Sequence, residues 1–178
     1  MKRLTFSFSV LVLTFIWIYH TAATDYNPAI NSIIGDISYV KKFGHLPSPG
    51  TDRDLRISTH LAYTENLLRS TKTSYNTETN ERRSNILDLL NDYRVAGSFP
   101  DHSNRINNPR QCDIDKDRNT CAICYLVEKS AGKQAAQNIN KDFKNCRIAG
   151  VDSEALTAWI RDNGLTREEV EIIQPSYN

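Results

Sequence analysis

Thr120 to Lys129 reads TCAICYLVEK, and this stretch decides the class of fold. Thr120 is a helix-capping residue type. The apolar residues Ile123, Leu126 and Val127 follow at three-to-four-residue spacing, and Gly132 stands where such a helix would break. Working outward, the same grammar recurs. Thr51 with Asp54 has the form of an acidic capping box, and Ile57, Leu61, Leu67 and Leu68 predict a helix from about Asp52 to Arg69. Ser70 to Asn80, rich in Ser, Thr and Asn, reads as a loop. A second helix is expected from about Glu81 to Ala96 on the stripe Ile86, Leu87, Leu89, Leu90 and Tyr93. Gly97 at its end suits a left-handed residue, and Pro100 follows. After the TCAICYLVEK helix come Gln134 to Phe143, with Ala135, Ala136 and Ile139, and a helix capped by Ser153 that holds Leu156, Trp159 and Ile160 and stops at Gly164. Thr166 and Glu169 form a capping box for a last short helix with Val170 and Ile173, ended by Pro175. The expected fold is mostly α, a single small helical domain. The one place open to strand is a short β-hairpin around Cys112 to Cys121.

The N-terminus has another character. Lys2 and Arg3 precede an apolar run from Leu4 to Ile18, and Thr21-Ala22-Ala23 offers small residues for cleavage. At roughly 15 residues the run is short of the ~20 that span a bilayer. Residues 1–23 therefore read as a secretory signal peptide and the chain as secreted and extracellular. Residues 24–50, with Pro28, Gly35, Gly44, Pro47, Pro49 and Gly50, read as an extended N-terminal arm whose Ile33, Ile34 and Ile37 dock on the core. Residues 51–178 form the helical domain.

Of the 178 residues, 22 are Lys or Arg and 21 are Asp or Glu, for a net charge of +1. Losing Lys2 and Arg3 takes this to about −1, a balance that argues against nucleic acid or an anionic membrane as partner. No second apolar run long enough for a span follows the signal, and no Asn-X-Ser/Thr sequon occurs. All four cysteines, Cys112, Cys121, Cys124 and Cys146, lie in the C-terminal half. In an exported chain they read as two disulfides, with three connectivities open. Closing a loop such as Cys112 to Cys121, or Cys124 to Cys146, contributes roughly 3 kcal/mol by the chain-entropy argument.

Each chemically suggestive pattern has a plainer counterpart. Cys121-Ala122-Ile123-Cys124 is a CxxC at a helix start, where the helix dipole would lower the first thiol's pKa and favour thiol–disulfide redox work. A thioredoxin-like enzyme places that motif after a buried strand, whereas polar loop precedes it here, so structural disulfides are the better reading. Zinc has little support, because His102, the nearest histidine, lacks partners at ligand spacing. Asp113, Asp115, Asp117 and Asn119 occupy the first four ligand offsets of a calcium loop. Arg118 replaces the required Gly and Cys124 the bidentate Glu, which leaves a weak calcium candidate beside a solvated turn. Ser153 to Ile173 superficially resembles a DNA-reading helix-turn-helix, yet Glu168, Glu169 and Glu171 would repel phosphate, and an αα-hairpin closing the core fits better. Neither GxSxG nor HExxH accompanies His45, His60 and His102, so no hydrolase triad can be assigned. His60 is expected to be a hydrogen-bonded, partly buried histidine.

From Ile57 to Tyr177 the chain resembles a family of uncharacterised small secreted proteins, mainly bacterial with scattered invertebrate members. The likeness lies in His60-Leu61-Ala62-Tyr63, Leu87-Asp88 and Tyr93-Arg94, then Gly97-Ser98-Phe99-Pro100. It continues with Cys112, Asp113 and Asp115, Cys121-Ala122, and Tyr125-Leu126-Val127-Glu128. It closes with Trp159, Gly164-Leu165-Thr166, Glu169 and Ile173-Gln174-Pro175-Ser176-Tyr177. The resemblance implies a shared fold, export, and a Cys112–Cys121 bridge, since those two match the family's recurrent cysteines. Cys124 stands where the family has Gly, and Cys146 is likewise additional, which implies a second bridge, Cys124–Cys146. No activity comes with the resemblance. The expectation is a secreted, non-catalytic protein acting by binding or assembly, with an extracellular protein or matrix component as its partner and an extracellular or biomineral matrix as its setting.

Overall fold

A computed structural model describes residues 28–101, 119–142, 148–150 and 152–177. The expected signal at residues 1–23, His102, Cys112, Asp113, Asp115, Asp117, Cys146 and nearly all of the expected hairpin lie outside these residues. Regular structure among the described residues is helical, without strand. The elements are α1 Ile37–Phe43, α2 Arg53–Ser70, α3 Thr77–Ala96, α4 Ala122–Ala131, α5 Lys133–Asp142, a 3-10 turn at Ile148–Gly150, α6 Glu154–Asp162 and α7 Arg167–Ile173. None of the described helices is long and apolar enough to cross a membrane.

α2 and α3 pack as an antiparallel pair. Arg69 reaches Asp88 at 2.7 Å while Glu65, one turn earlier on α2, lies 3.8 Å from Arg94, further along α3. α4 packs on α3, α5 on α4, and α6 on α5, while α7 touches α2, α4 and α6. The last helix thus links α2, α4 and α6. Ile57 and Leu61 of α2, Ile86 and Leu90 of α3, Ile123 and Leu126 of α4, and Val170 and Ile173 of α7 are wholly buried. These are the apolar stripes of the sequence, brought face to face, and their burial is the main favourable term in folding.

Several helix ends are set by the residues expected to set them. Ser153 caps α6. Thr166 and Glu169 form the reciprocal box on α7, with Glu169 N–H donating to Thr166 Oγ1 at 3.1 Å and Thr166 N–H to Glu169 Oε2 at 2.9 Å. Gly97 ends α3 at φ 63°. Gly164 turns the chain between α6 and α7 at φ 60°, and a Cβ there would stand 2.8 Å from Thr79 Cγ2. Both the dihedral and the close approach require glycine.

Four expectations need correcting. α4 is capped by Cys121, whose Sγ accepts from Cys124 N–H at 3.4 Å, and not by Thr120. α2 is capped by Asp52, whose carboxylate accepts from Leu55 N–H at 2.7 Å, so the Thr51 box does not form. Asp is as good a cap as Thr, and Asp54 is left to pair with Arg53 at 2.8 Å. α3 begins at Thr77, a turn earlier than expected, because Asn76 Oδ1 accepts from Thr79 N–H at 2.8 Å. The end of the Ser70–Asn80 loop is therefore helix. The arm is not extended through residues 24–50 either. Ala29–Pro47 belongs to the same compact unit as the chain from Thr51 onward and carries α1, whereas Pro28 and Ser48–Gly50 fall outside that unit and are coil or turn. Ile30, Asn31, Ser38 and Tyr39 are the buried residues of this segment, while Ile33 and Ile37 face outward. Polar anchoring by Asn31, invisible to an apolar-pattern reading, decides which side docks.

Candidate functional site

The N-terminus of α4 carries the cysteine motif. Its first N–H groups, unpaired within any helix, are all taken by protein atoms. Ala122 N–H donates to Tyr177 Oη at 2.8 Å, Ile123 N–H to Gln174 Oε1 at 3.3 Å, and Cys124 N–H to Cys121 Sγ at 3.4 Å. Tyr93 Oη donates to the Thr120 carbonyl at 2.9 Å and lies 3.0 Å from Tyr177 Oη, so Tyr177 supplies the proton between the two phenols. Burial first, then the Tyr93 hydroxyl, holds the Tyr177 phenol well above its ordinary pKa. The C-terminal Gln174-Pro175-Ser176-Tyr177 strap is thus the cap of α4.

Cys121 sits wholly buried beneath that strap. As a thiol its pKa is pushed up to about 12 by burial, with the nearby backbone N–H groups only partly opposing. This reverses the expected effect of the helix dipole, because losing water costs a thiolate more than the dipole returns. Such a sulfur is a poor nucleophile at neutral pH.

A second polar constellation runs along α2. Arg56, Thr59, His60 and Thr64 share one face and are all buried. Arg56 meets Asp36 at 2.9 Å, a pair with side chains only 5% and 10% exposed. His60 Nε2–H donates to the Ile172 carbonyl at 2.8 Å, which fixes the tautomer and leaves Nδ1 as an acceptor. Among the described residues that Nδ1 has no partner, nor do the hydroxyls of Ser38, Thr59 and Thr64. His60 is therefore fully, not partly, buried. Burial lowers its pKa from 6.5 to about 4, against the opposing pull of the Ile172 carbonyl and Asp36.

Because the folded pKa lies below the unfolded one, the fold favours neutral His60. Its contribution is fully present above pH 6.5 and is lost as pH falls towards 4, where it amounts to roughly 3 kcal/mol. In His60→Gln, which keeps a donor for Ile172, urea melts at pH 7 and pH 4 should differ by about that much less than in the parent. Equal acid sensitivity in the two proteins would refute the assignment.

The other sequence candidates are dispersed. His45 is exposed, its Nδ1 2.8 Å from the Leu46 carbonyl. Asn119 is half-buried beside Thr120, and nothing further of the calcium pattern is described. No group of three or more His, Cys, Asp or Glu side chains gathers for a metal among the described residues. Ser153 to Ile173 forms an αα-hairpin whose Leu156, Trp159, Ile160, Val170 and Ile173 are buried in the core.

The feature that packing does not explain is α1. It turns Ser38 and Tyr39 inward and its aliphatic residues outward. Ile33 is 48% exposed, Ile37 46%, Val40 38%, Phe43 37% and Leu46 69%. Lys41 and Lys42, both exposed, flank this ridge. Single exposed apolar residues are ordinary, whereas these five fall within fourteen positions.

Sequence reasoning missed Asn31, Arg83, Gln174 and Tyr177 as organising residues. Arg83 had a signal: it falls in register with Ile86, Leu87 and Leu90, where an apolar residue belongs. No protein-family model matches the chain, and neither a curated protein nor a solved structure is similar to it.

Proposed function

We propose that this is a secreted, non-catalytic protein that works by binding or assembly, with the α1 ridge as its contact surface. The carrying observation is the run of exposed apolar residues Ile33, Ile37, Val40, Phe43 and Leu46 in and on either side of α1, whose own buried residues are Ser38 and Tyr39. An extracellular matrix, biomineral or otherwise, is the setting this reading takes. The polar groups at the start of α4 are occupied in holding helices together, which favours scaffolding over catalysis. Thiol–disulfide exchange at Cys121 and Cys124 is the weaker alternative, since a buried sulfur with a raised pKa attacks slowly. Calcium binding through Asp113, Asp115 and Asp117 rests on sequence spacing alone.

Ile37→Asp/Val40→Asp tests the ridge. Both side chains are partly solvated, so melting temperature should barely change. The parent should self-associate in sedimentation or be retained on insoluble extracellular matrix, and the variant should do neither. Identical behaviour of the two proteins in both assays would remove the ridge from the account.

The proposed bridges are Cys112–Cys121 and Cys124–Cys146. Peptide mapping of secreted protein without reduction should recover these two pairs and an N-terminus at Thr24. A Cys121–Cys124 linkage, or four reduced sulfurs, would contradict the scaffold assignment.

A further inference from the structure

Between α5, α6 and the end of α4 lies a cleft of about 440 Å³, bordered on one side by Arg82 of α3. Its apolar surface comes from the methyl groups of Ala131, Ala135 and Ala155, with Ile139 and Trp159. Trp159 cannot turn to fill it, because Nε1–H donates to Ser130 Oγ at 2.9 Å and Ser130 donates in turn to the Leu126 carbonyl at 2.7 Å.

The charges around the cleft are spent on one another. Arg82 binds Glu78 at 2.6 Å as well as the Asp162 carbonyl and Thr79 Oγ1, and the Asp162 carboxylate pairs with Arg161 at 2.9 Å. The amides are only half used. Asn163 Nδ2–H donates to the Trp159 carbonyl at 2.8 Å, and Asn138 Oδ1 accepts from Gln134 at 3.1 Å. That leaves Asn163 Oδ1 as an acceptor and Asn138 Nδ2 as a donor, neither with a protein partner among the described residues.

An ionic ligand would find no unpaired countercharge here, and a wholly apolar one would strand the amides. The matching chemistry is neutral and carries a methyl group, an N–H and a carbonyl together, as an acetamido group does. We propose that this cleft binds an N-acetylhexosamine unit of a neutral glycan. The sugar hydroxyls would face the polar rim and the acetamido methyl the alanines. The assignment is independent of the α1 ridge and shares only its extracellular setting.

Trp159 is the sole tryptophan after residue 23, so emission from the processed protein reports on this cleft alone. Titration with chitotriose should change that emission saturably. Maltotriose, which lacks acetamido groups, should leave it unchanged, as should Nε-acetyl-lysine. Ala155→Phe, at an exposed position, should fill the cleft and weaken chitotriose by about tenfold or more. Asn138→Ala should weaken it several-fold without relying on added bulk, and a thermal melt confirms that each variant is folded. No response to chitotriose up to about 10 mM would overturn the proposal. So would an equal response to maltotriose, a response to acetyl-lysine alone, or folded variants that titrate like the parent.

Discussion

Arg83→Ala should destabilise the protein by about 3–5 kcal/mol, the range for removing one partner of a buried ion pair. The side chain is 6% exposed, and its fork joins three parts of the molecule. Nη1 donates to the Gly164 carbonyl at 2.7 Å and to Glu169 Oε2 at 2.8 Å. Nη2 donates to Glu169 Oε1 at 2.7 Å and to the Leu68 carbonyl at 3.2 Å. The end of α2, the α6–α7 turn and the first turn of α7 are thus held by one guanidinium. Truncation leaves two carbonyls unpaired and a buried carboxylate without its cation. Arg83→Lys should recover only part of the loss, because an ammonium cannot reproduce the two-pronged contact with Glu169 while also reaching both carbonyls. Urea midpoints give the answer directly. A loss under about 1 kcal/mol for the alanine variant would mean that solvent screens the pair as it would at a surface.

Asn31→Ala should cost a similar amount, about 3 kcal/mol or more, through neutral groups alone. Asn31 is 1% exposed. Its Nδ2 lies 2.9 Å from the Glu171 carbonyl, 3.1 Å from Ile172 and 2.9 Å from Gln174, while Oδ1 accepts from the N–H groups of Ile33 at 2.9 Å and Ile34 at 3.0 Å. Beside it, Ser176 N–H donates to the Ile30 carbonyl at 2.7 Å. One amide therefore fastens the segment leading into α1 to the end of α7. Asn31→Asp separates the two halves of that function. It keeps both acceptors but sets a carboxylate against three carbonyls, so at neutral pH it should be no more stable than the alanine variant. In either variant the bond after Lys41 or Lys42 should become an early site of tryptic cleavage, while the rest of the chain is cut more slowly. Unchanged resistance at these lysines would show that α1 is held by other contacts.

Both residues show where a sequence reading loses its reach. The stripes Ile86, Leu87 and Leu90, or Leu156, Trp159 and Ile160, are visible because helical periodicity is local and repeats within one element. Stops at Gly97, Gly132 and Gly164 and the Thr166–Glu169 box are visible for the same reason: cap and helix are neighbours in sequence. Where two neighbours could cap, as with Thr51 and Asp52, local pattern alone does not choose. Asn31 and Gln174 act across 143 residues and Arg83 and Glu169 across 86. No window along the chain contains both partners.

Other long-range contacts join the helices in the same way. Tyr93, Ala122, Gln174 and Tyr177 meet at one helix start, and Gly164 and Glu169 meet Arg83.

Residue order by itself determined that the described residues would be mostly helical and roughly where the helices from α2 onward would stop. Those properties follow from spacing and local chemistry, which survive without knowledge of neighbours. The tertiary structure alone decided that Cys121 would be sealed away from water, that His60 would be neutral at pH 7, and that α1 would present its aliphatic side to solvent. Each depends on what removes water from a group, and that is set by segments distant in sequence meeting in space.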